Sequence, residues 1–371
     1  MIAKNARHVR RATSAPSASS ATMASMAIWG FAQAVCRRAA LRAALGSALA
    51  LGLPAAPALA QQFTMKLSAP TVNDMNHEWM KRMKAGVEAR SGGRIKVEVY
   101  PANQLGQIPR TVEGVALGTI ESTMPATGFF IGLDPRFAIF DAVGLFDDMV
   151  HANKVFQDPE IRARIATFGQ EKGVEPLVTY ASNPNVVASH KAIRAVADFK
   201  GQKLRVPGGA PLYMDPYRRL GASPVSMALG EALPAMQNRT IDGSIAGLTV
   251  FTTFKYYDIT HNLTWLPSSF IVVSALVNRN FMKSLGPELE GIVRDESRKL
   301  EPLFFTWLMD DVENARKQWE QQGGEAIMLP PAEARRFVDE VSTSTVPILT
   351  ANASMKADYE AMLAAARRYR K

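Results

Sequence analysis

The sequence predicts an α/β fold built on mainly parallel sheets and divided into two lobes that share a cleft. The length of 371 residues allows two units that each bury a core. Short stretches of alternating polarity recur between helical patterns, an order typical of parallel sheets with crossover helices. The composition, with 47% hydrophobic and 21% charged residues, is that of a globular protein and argues against a collagen or a disordered chain.

Residues 1–60 are predicted to be a signal peptide. An uncharged, Ala/Leu-rich stretch at 43–53 follows basic residues and leads through two prolines to the small-residue triplet that ends at Ala60. Basic region, short apolar core and small-residue exit form the order of a secretory signal. The apolar core is shorter than the roughly 20 residues that span a bilayer, although a retained anchor is the alternative. We therefore expect cleavage near Ala60 and a periplasmic protein.

Removal of this segment changes the charge and the cysteine content. The whole chain has a net charge of +9, but residues 1–60 hold seven basic residues and no acid, which leaves +2 for the remainder. The remainder therefore lacks the positive excess that indicates binding to nucleic acid or an anionic membrane. Cys36 is the one cysteine, so the rest of the chain has no disulfide, thiolate metal site or cysteine nucleophile.

The first elements after the leader have the order strand, helix, strand. Residues 64–69 are predicted as a short strand, and Asn73 or Asp74 as the cap of the helix that follows. This helix has apolar residues at four-residue spacing, namely Met75, Trp79, Met83 and Val87. Alternation at 95–99 then predicts a half-buried strand that ends at Pro101.

The same patterns continue along the chain. Further strands are predicted at 119–124, 175–180, 203–206 and 270–277, with a helix around 112–116. Residues 287–322 are helical in pattern almost throughout and are interrupted once, at Pro302. One helix of this extent would be about 54 Å long and would have to lie along both lobes. Two helices broken at Pro302 are the alternative.

The usual catalytic and metal-binding motifs are missing from the sequence. His77 and Glu78 do not begin a zinc-protease motif, because Lys81 stands where the second histidine belongs. The four histidines after residue 60 are not paired at ligand spacing, and there is no phosphate-binding loop, dinucleotide fingerprint or nucleophile elbow. We expect no catalytic residues, no metal and no cofactor, and hence a protein that is not an enzyme.

Residues 198–247 carry a specific series of motifs. They contain GQKLRVP, then LGASPVSMALGE, then AMQ and finally DG. In this order and spacing they resemble the extracytoplasmic solute-binding proteins of TRAP transporters, the DctP type. The segments MKLSAPT and SGGRIKVEVYPANQLGQ and the interrupted helix support the resemblance, which covers nearly all of residues 63–341.

The resemblance implies a periplasmic binding protein fold, in which two lobes joined by hinge strands and a long lobe-spanning helix close on a small organic acid. On this basis we assign 61–183 with 271–310 to lobe 1, 184–270 with 338–371 to lobe 2, and 287–322 to the helix. The implied partners are the organic acid and the small and large TRAP membrane subunits. We expect a monomer that does not bind nucleic acid.

The resemblance also implies a role for Arg205. In the family, the arginine of the K-x-R-V-P strand forms the salt bridge with the ligand carboxylate, and a guanidinium is suited to bidentate carboxylate binding. This chain departs from the family elsewhere. It has no second arginine at 182–186, it has Ile245 and Ala246 where an asparagine is common, and it has Leu229 where an aromatic residue is common. Two polar anchors of the family site are therefore missing.

Apolar residues replace the missing anchors, which predicts a ligand with one carboxylate and an apolar or aromatic body. The candidate lining residues are Phe129, Phe130, Tyr213, Leu229, Ile245 and Phe251, each of which could instead belong to the core. The candidate hydrogen-bonding residues are Asn73, Asn183 and Asn185. The alternatives for function are a periplasmic enzyme on a similar scaffold and a binding protein that serves a sensor.

Overall fold

The structure is a computed structural model that describes residues 61–208 and 211–370. The predicted signal peptide and Cys36 lie outside the described residues. The strands are β1 (Phe63–Ser68), β2 (Ile95–Tyr100), β3 (Ser122–Thr123), β4 (Val174–Ser189), β5 (Lys203–Val206), β6 (Ser223–Ser226), β7 (Gly243–Gly247), β8 (Asn262–Asn278) and β9 (Glu325–Ile327). The α-helices are α1 (Met75–Arg90), α2 (Ile108–Leu117), α3 (Met149–Gln157), α4 (Pro159–Ile165), α5 (Pro211–Arg219), α6 (Leu229–Gln237), α7 (Leu248–Thr253), α8 (Arg279–Ser284), α9 (Gly286–Lys299), α10 (Trp307–Gln321), α11 (Pro331–Leu349) and α12 (Ala353–Tyr369).

The strands of the described part form one continuous sheet. Its order is β2-β1-β3-β8-β4-β7-β5-β6, and β9 pairs with β8. β1 is parallel to β2 and β3, and β5 is parallel to β6 and β7. The pairs β3–β8, β4–β8 and β4–β7 are antiparallel. The prediction of an α/β fold with mainly parallel sheets is confirmed.

The two long strands β4 and β8 run through both lobes. β3 joins β8 near its end, at Leu276 and Val277, whereas β7 joins the last five residues of β4. Between these regions the β4–β8 register shifts three times, at 176–178, 181–183 and 184–186. Each shift bends the ladder locally. β4 and β8 therefore have the place and the irregularity expected of hinge strands.

The sheet is covered on both faces in each lobe. In lobe 1, Trp79 and Met83 of α1 pack with Val97 in one cluster, and Phe137 and Phe140 belong to a second. In lobe 2, the two clusters contain Phe199 and Phe337, and Phe251 and Trp319. Burial on both faces is typical of parallel sheets. Neither lobe offers a large apolar face of its sheet to a ligand.

Of the two caps predicted for α1, Asn73 and Asp74, the structure shows Asp74. Asp74 is the N-cap, and its Oδ1 accepts a hydrogen bond from the backbone N–H of His77 at 3.1 Å. Asn73 lies just before it in the left-handed region, with φ of 60°. The four apolar residues that predicted the helix are all buried.

Residues 287–322 form two helices, the alternative arrangement. A 3₁₀ segment, Glu301–Phe305, contains Pro302 and separates α9 from α10. α9 packs in lobe 1, where Arg90 Nη1 lies 2.8 Å from Glu296 Oε1. α10 packs in lobe 2, where Trp319 Nε1 donates to the carbonyl oxygen of His261 at 3.3 Å. The two helices together therefore connect the lobes.

The C-terminal helix α12 lies on lobe 1, whereas the sequence analysis placed residues 338–371 in lobe 2. Its buried face, which includes Met355 and Met362, completes the core around Phe140. His151 Nε2 on α3 lies 2.8 Å from the carbonyl oxygen of Ala366. The physical reason is that the apolar side chains of this helix pack into the same core cluster as Phe137 and Phe140 of lobe 1.

Among the described residues, no helix has both the length and the apolar character of a membrane span.

Candidate functional site

One cavity lies where the bent middle of β4 meets both lobes. Its volume is about 110 Å³. Most of its lining is apolar, and the lining residues come from lobe 1, lobe 2 and the hinge strands alike. Besides Tyr213 and Tyr217, the polar lining residues are Thr71, Asp74, Asn76, Asp141, Ser182, Asn183, Asn185, Arg205 and Thr249.

Arg205 projects into this cavity from β5. The strand is central in the lobe 2 sheet, with β6 on one side and β7 on the other. The residue is 2% exposed. Its Nε donates to the carbonyl oxygen of Met227 at 3.0 Å, and its Nη1 donates to that of Ile245 at 3.1 Å. Two backbone carbonyls therefore hold the guanidinium in place from the loop after β6 and from β7.

No carboxylate in the described part of the chain lies within 4 Å of this guanidinium. Burial lowers the pKa of Arg205 to about 10, with the nearby Tyr256 phenol opposing the effect. The side chain therefore stays cationic at neutral pH. A buried cation that lacks a counter-ion is costly unless an anion pairs with it. The arrangement is suited to a bound carboxylate, which would accept hydrogen bonds from the remaining N–H groups.

Asn183 and Asn185 border the cavity at the register shifts of β4. Asn183 Oδ1 accepts a hydrogen bond from the backbone N–H of Thr249 at 3.0 Å, in the first turn of α7. Asn185 Nδ2 donates to Ser269 Oγ at 3.2 Å. Its Oδ1 is buried and has no hydrogen-bond partner within residues 61–208 and 211–370. Both amides are thus fixed by the protein and keep hydrogen-bonding capacity.

Gly247 makes the position of Asn183 possible. A Cβ at Gly247 would lie 2.8 Å from the Asn183 Cβ and 3.1 Å from its Cγ, closer than van der Waals contact allows. The motif segment 198–247 therefore ends with strand β7, whose last residue, Gly247, must be small.

Seven of the nine predicted site residues line the same cavity. They are Arg205, Asn183, Asn185, Phe129, Tyr213, Leu229 and Ile245. Their part in ligand binding stays a prediction. The prediction nevertheless selected residues that lie up to 116 positions apart in the sequence and line one cavity in the structure.

Two predicted site residues lie elsewhere. Phe251 is fully buried in the lobe 2 core, where its ring packs edge-on against Tyr256 at 4.9 Å. It lies on the inward face of α7, so the core takes the side chain that we expected in the cleft. Asn73 borders a neighbouring polar pocket together with Lys255 and Asp311. Phe130, a further candidate, is also core.

Two acids in the cavity wall, Asp74 and Asp141, were not among the predicted site residues. Burial raises the pKa of Asp74, although its hydrogen bonds from Thr71 and His77 oppose the rise. Burial raises the pKa of Asp141 to about 7 against a hydrogen bond from Tyr213. For Asp141 a local signal exists, because it is a single acid within the apolar run FAIFDAVGLF at 137–146.

Metal binding has no support in the described residues, where no group of three or more His, Cys, Asp or Glu side chains could hold an ion.

Comparison with known proteins places the chain in a family. Residues 68–347 match the profile of DctP, the bacterial extracellular solute-binding protein family 7. The chain belongs to this family. As a family 7 protein it has relatives that include the 2,3-diketo-L-gulonate-binding periplasmic protein YiaO of Escherichia coli (strain K12), 25% identical over 218 residues, which are 58% of this chain and 66% of the relative.

A second relative is the sialic acid-binding periplasmic protein SiaP of Vibrio cholerae, 27% identical over 57% of this chain and 66% of the relative. The matches thus span slightly under two thirds of these curated relatives. The fold is shared with a TRAP periplasmic solute-binding protein of Desulfovibrio salexigens with bound orotic acid, at a TM-score of 0.78 and 23% identity. That alignment covers 83% of this chain and 99% of the other. The two-lobed solute-binding fold implied by the sequence is confirmed.

Proposed function

We propose that this family 7 protein binds a small organic acid in the periplasm, after loss of residues 1–60, and delivers it to the membrane subunits of a TRAP transporter. The ligand is held by its carboxylate on Arg205 and has an apolar or aromatic body. The protein acts as a monomer and returns its ligand chemically unchanged.

The observation that carries this proposal is the state of Arg205. Its guanidinium is almost fully buried, borders the cavity, is held by two backbone carbonyls and lacks a protein counter-ion in the described part. Charge-assisted hydrogen bonds to a carboxylate contribute about 1.5–3 kcal/mol. Such a bond would offset the cost of the buried cation, which gives the ligand a reason to bind at this point.

The preference for a single carboxylate follows from the charges of the lining. Among described lining residues Arg205 is the one cation, whereas Asp74 and Asp141 are acids. A second carboxylate on the ligand would meet acids and apolar groups, where its burial is costly. The apolar lining, which includes Phe129, Leu229 and Ile245, favours a hydrophobic body.

Closure of the lobes explains how one ion pair can suffice. The cavity wall is assembled from both lobes and the hinge strands, so a ligand that contacts all three favours the closed arrangement. A micromolar dissociation constant corresponds to about −8 kcal/mol, which one carboxylate contact and apolar burial can supply. The closed surface then presents the loaded protein to the membrane subunits.

Calorimetry with a panel of acids tests the proposal. Branched-chain and aromatic monocarboxylates should bind, and Arg205→Gln should weaken the best of them by about 10–150-fold. Arg218→Gln is the matched control, since Arg218 is exposed and pairs with Asp215 in the same lobe. Tight binding of succinate or sialic acid without response to the apolar acids would refute the ligand class. Recovery of an altered acid after incubation would refute the carrier role.

A further inference from the structure

Asp141 has an unusual position in the cavity wall. It is the last residue of the 3₁₀ segment Pro135–Asp141 in lobe 1, it is partly buried, and it borders the cavity. Tyr213 Oη donates to its Oδ2 at 2.6 Å. No other group in residues 61–208 and 211–370 hydrogen-bonds this carboxyl, and no Lys, Arg or His of that part pairs with it. One carboxyl oxygen is therefore occupied and the other is not.

The second acid of the wall differs in this respect. Asp74 Oδ1 accepts from the backbone N–H of His77, and its Oδ2 contacts the hydroxyl of Thr71 and, at 3.4 Å, the amide of Asn76. Both oxygens of Asp74 therefore accept hydrogen bonds from residues at the start of α1 and just before it. Asp141 is thus the acid in the cavity wall whose acceptor capacity the protein leaves unused.

Tyr213 reaches Asp141 from the other lobe. It lies on α5 of lobe 2, and its hydroxyl passes directly over Gly128 of lobe 1. A Cβ on Gly128 would lie 1.2 Å from the Tyr213 Oη, so any larger residue there would block the approach. The direction of the Asp141 carboxyl is therefore set by a contact between the two lobes.

We propose that Asp141 is a specificity-determining residue, which accepts a hydrogen bond from a hydroxyl or amino group on the body of the ligand, with Tyr213 as its positioning residue. This inference rests on the proposed function, because it assumes a carboxylate on Arg205. It narrows the ligand class to hydroxy or amino monocarboxylic acids with an otherwise apolar body. An acceptor that the protein leaves unpaired in a binding cavity discriminates between ligands once the cavity closes, since an analogue without the donor leaves it unsatisfied.

The ionisation of Asp141 supplies a signature for this contact. The titratable groups that face it are the phenols of Tyr213 and Tyr217, whose pKa values burial raises well above the ordinary range. Both stay neutral near pH 7, whereas the pKa of Asp141 is about 7. A donor on the ligand favours the ionised carboxylate. Acids that bear the donor should therefore bind more tightly as the pH rises from about 6 to about 8, and acids without it should not.

The test uses matched pairs of acids in calorimetry on the protein without residues 1–60. The pairs are hexanoate with its terminal hydroxy and amino derivatives, and phenylpropanoate with its para-hydroxy derivative. We expect at least a tenfold tighter binding of a donor-bearing member at about pH 8. Asp141→Leu should remove that difference. Asp310→Asn, at an exposed acid on α10, should leave the difference unchanged.

Tyr213→Phe tests whether Tyr213 positions the Asp141 carboxyl or only contributes to the fold. Because the Tyr213 hydrogen bond lowers the pKa of Asp141, its loss should move the onset of the donor preference to higher pH. A purely structural tyrosine would not move that onset.

Three outcomes overturn the inference. Equal affinity for plain and donor-bearing acids does so, as does a donor preference that survives Asp141→Leu. Tighter binding of keto or ester derivatives at low pH would mean that protonated Asp141 donates. With any of these results the proposed function is still supported if the plain acids bind and Arg205→Gln lowers their affinity. If none of the acids binds, both the proposed function and the role of Asp141 are refuted.

Discussion

Arg205 Nη1 lies 3.1 Å from the carbonyl oxygen of Ile245, so the neighbouring strand β7 holds the guanidinium by its backbone and not by a charge. Backbone carbonyls fix its direction without neutralising it. The guanidinium is therefore already oriented before a ligand binds. We expect the stability of the ligand-free protein to depend little on the Arg205 side chain.

Arg205→Met tests this separation of binding from stability. Methionine has a similar length and removes the buried charge, but leaves two carbonyls without their donors, so the two effects offset. We expect the free energy of unfolding to change by less than about 1.5 kcal/mol, while acid binding weakens by about 10–150-fold. Denaturant unfolding and calorimetry measure the two quantities. A loss of stability above about 3 kcal/mol would instead indicate a structural arginine.

Gly247→Ala should damage the site through Asn183. The new Cβ would lie 2.8 Å from the Asn183 Cβ, so the asparagine must move and its hydrogen bond to Thr249 is disturbed. We expect a destabilisation of about 1–3 kcal/mol and weaker acid binding. Gly291→Ala is the control, since the added Cβ would meet no atom within 4 Å beyond the adjacent residues and backbone of its own helix, and alanine favours helix α9 by about 1 kcal/mol. Equal behaviour of the two variants in thermal unfolding would contradict the close approach.

The pH dependence of stability should reflect Asp311 on α10. Burial, together with the nearby Asp74, raises the pKa of Asp311 from 3.8 to about 7. The folded protein therefore keeps a proton that the unfolded chain has lost, and the free energy of unfolding falls as the pH rises from about 4 to about 7. Asp311→Asn should make that fall shallower and raise stability at pH 7 by about 1–3 kcal/mol.

Asp310→Asn is the matched control for this prediction, because Asp310 neighbours Asp311 in sequence but is exposed. Denaturant midpoints across the pH range give the measurement. A wild-type protein whose stability is flat or rises between about pH 4 and about pH 7, unaltered by Asp311→Asn, would show that Asp311 is an ordinary carboxylate.

The connection between α9 and α10 should be sensitive at Phe304. Its ring stacks on Tyr180 of β4 with centroids 4.2 Å apart and an interplanar angle of 8°. Phe304→Ala would leave a cavity in the lobe 1 core and should cost about 3–5 kcal/mol. Leu117→Ala, at a side chain that is 72% exposed, should change stability by less than about 0.5 kcal/mol. A comparable, small effect of both changes on thermal unfolding would mean that the 3₁₀ segment packs loosely.

The local features of this protein follow from the sequence because they depend on neighbours in the chain. The periodicity of Met75, Trp79 and Met83 predicted α1, and the sequence limited its cap to Asn73 or Asp74, of which Asp74 is the observed one. The motif series at 198–247 determined the family, the fold class and the choice of Arg205. Pro302 marked the interruption between α9 and α10, although periodicity could not distinguish a kink from a break.

Only the tertiary structure decided which side chains face the cavity. Phe251 and Leu229 look alike in the sequence, yet the first packs into the core and the second borders the cavity, since burial depends on what lies opposite each helix face. The pairing of Asp141 with Tyr213 joins residues 72 positions apart across two lobes. The geometry of this pairing depends on the close approach of the Tyr213 hydroxyl to Gly128. The raised pKa of Asp141 depends on desolvation. No local sequence pattern encodes the close approach or the desolvation.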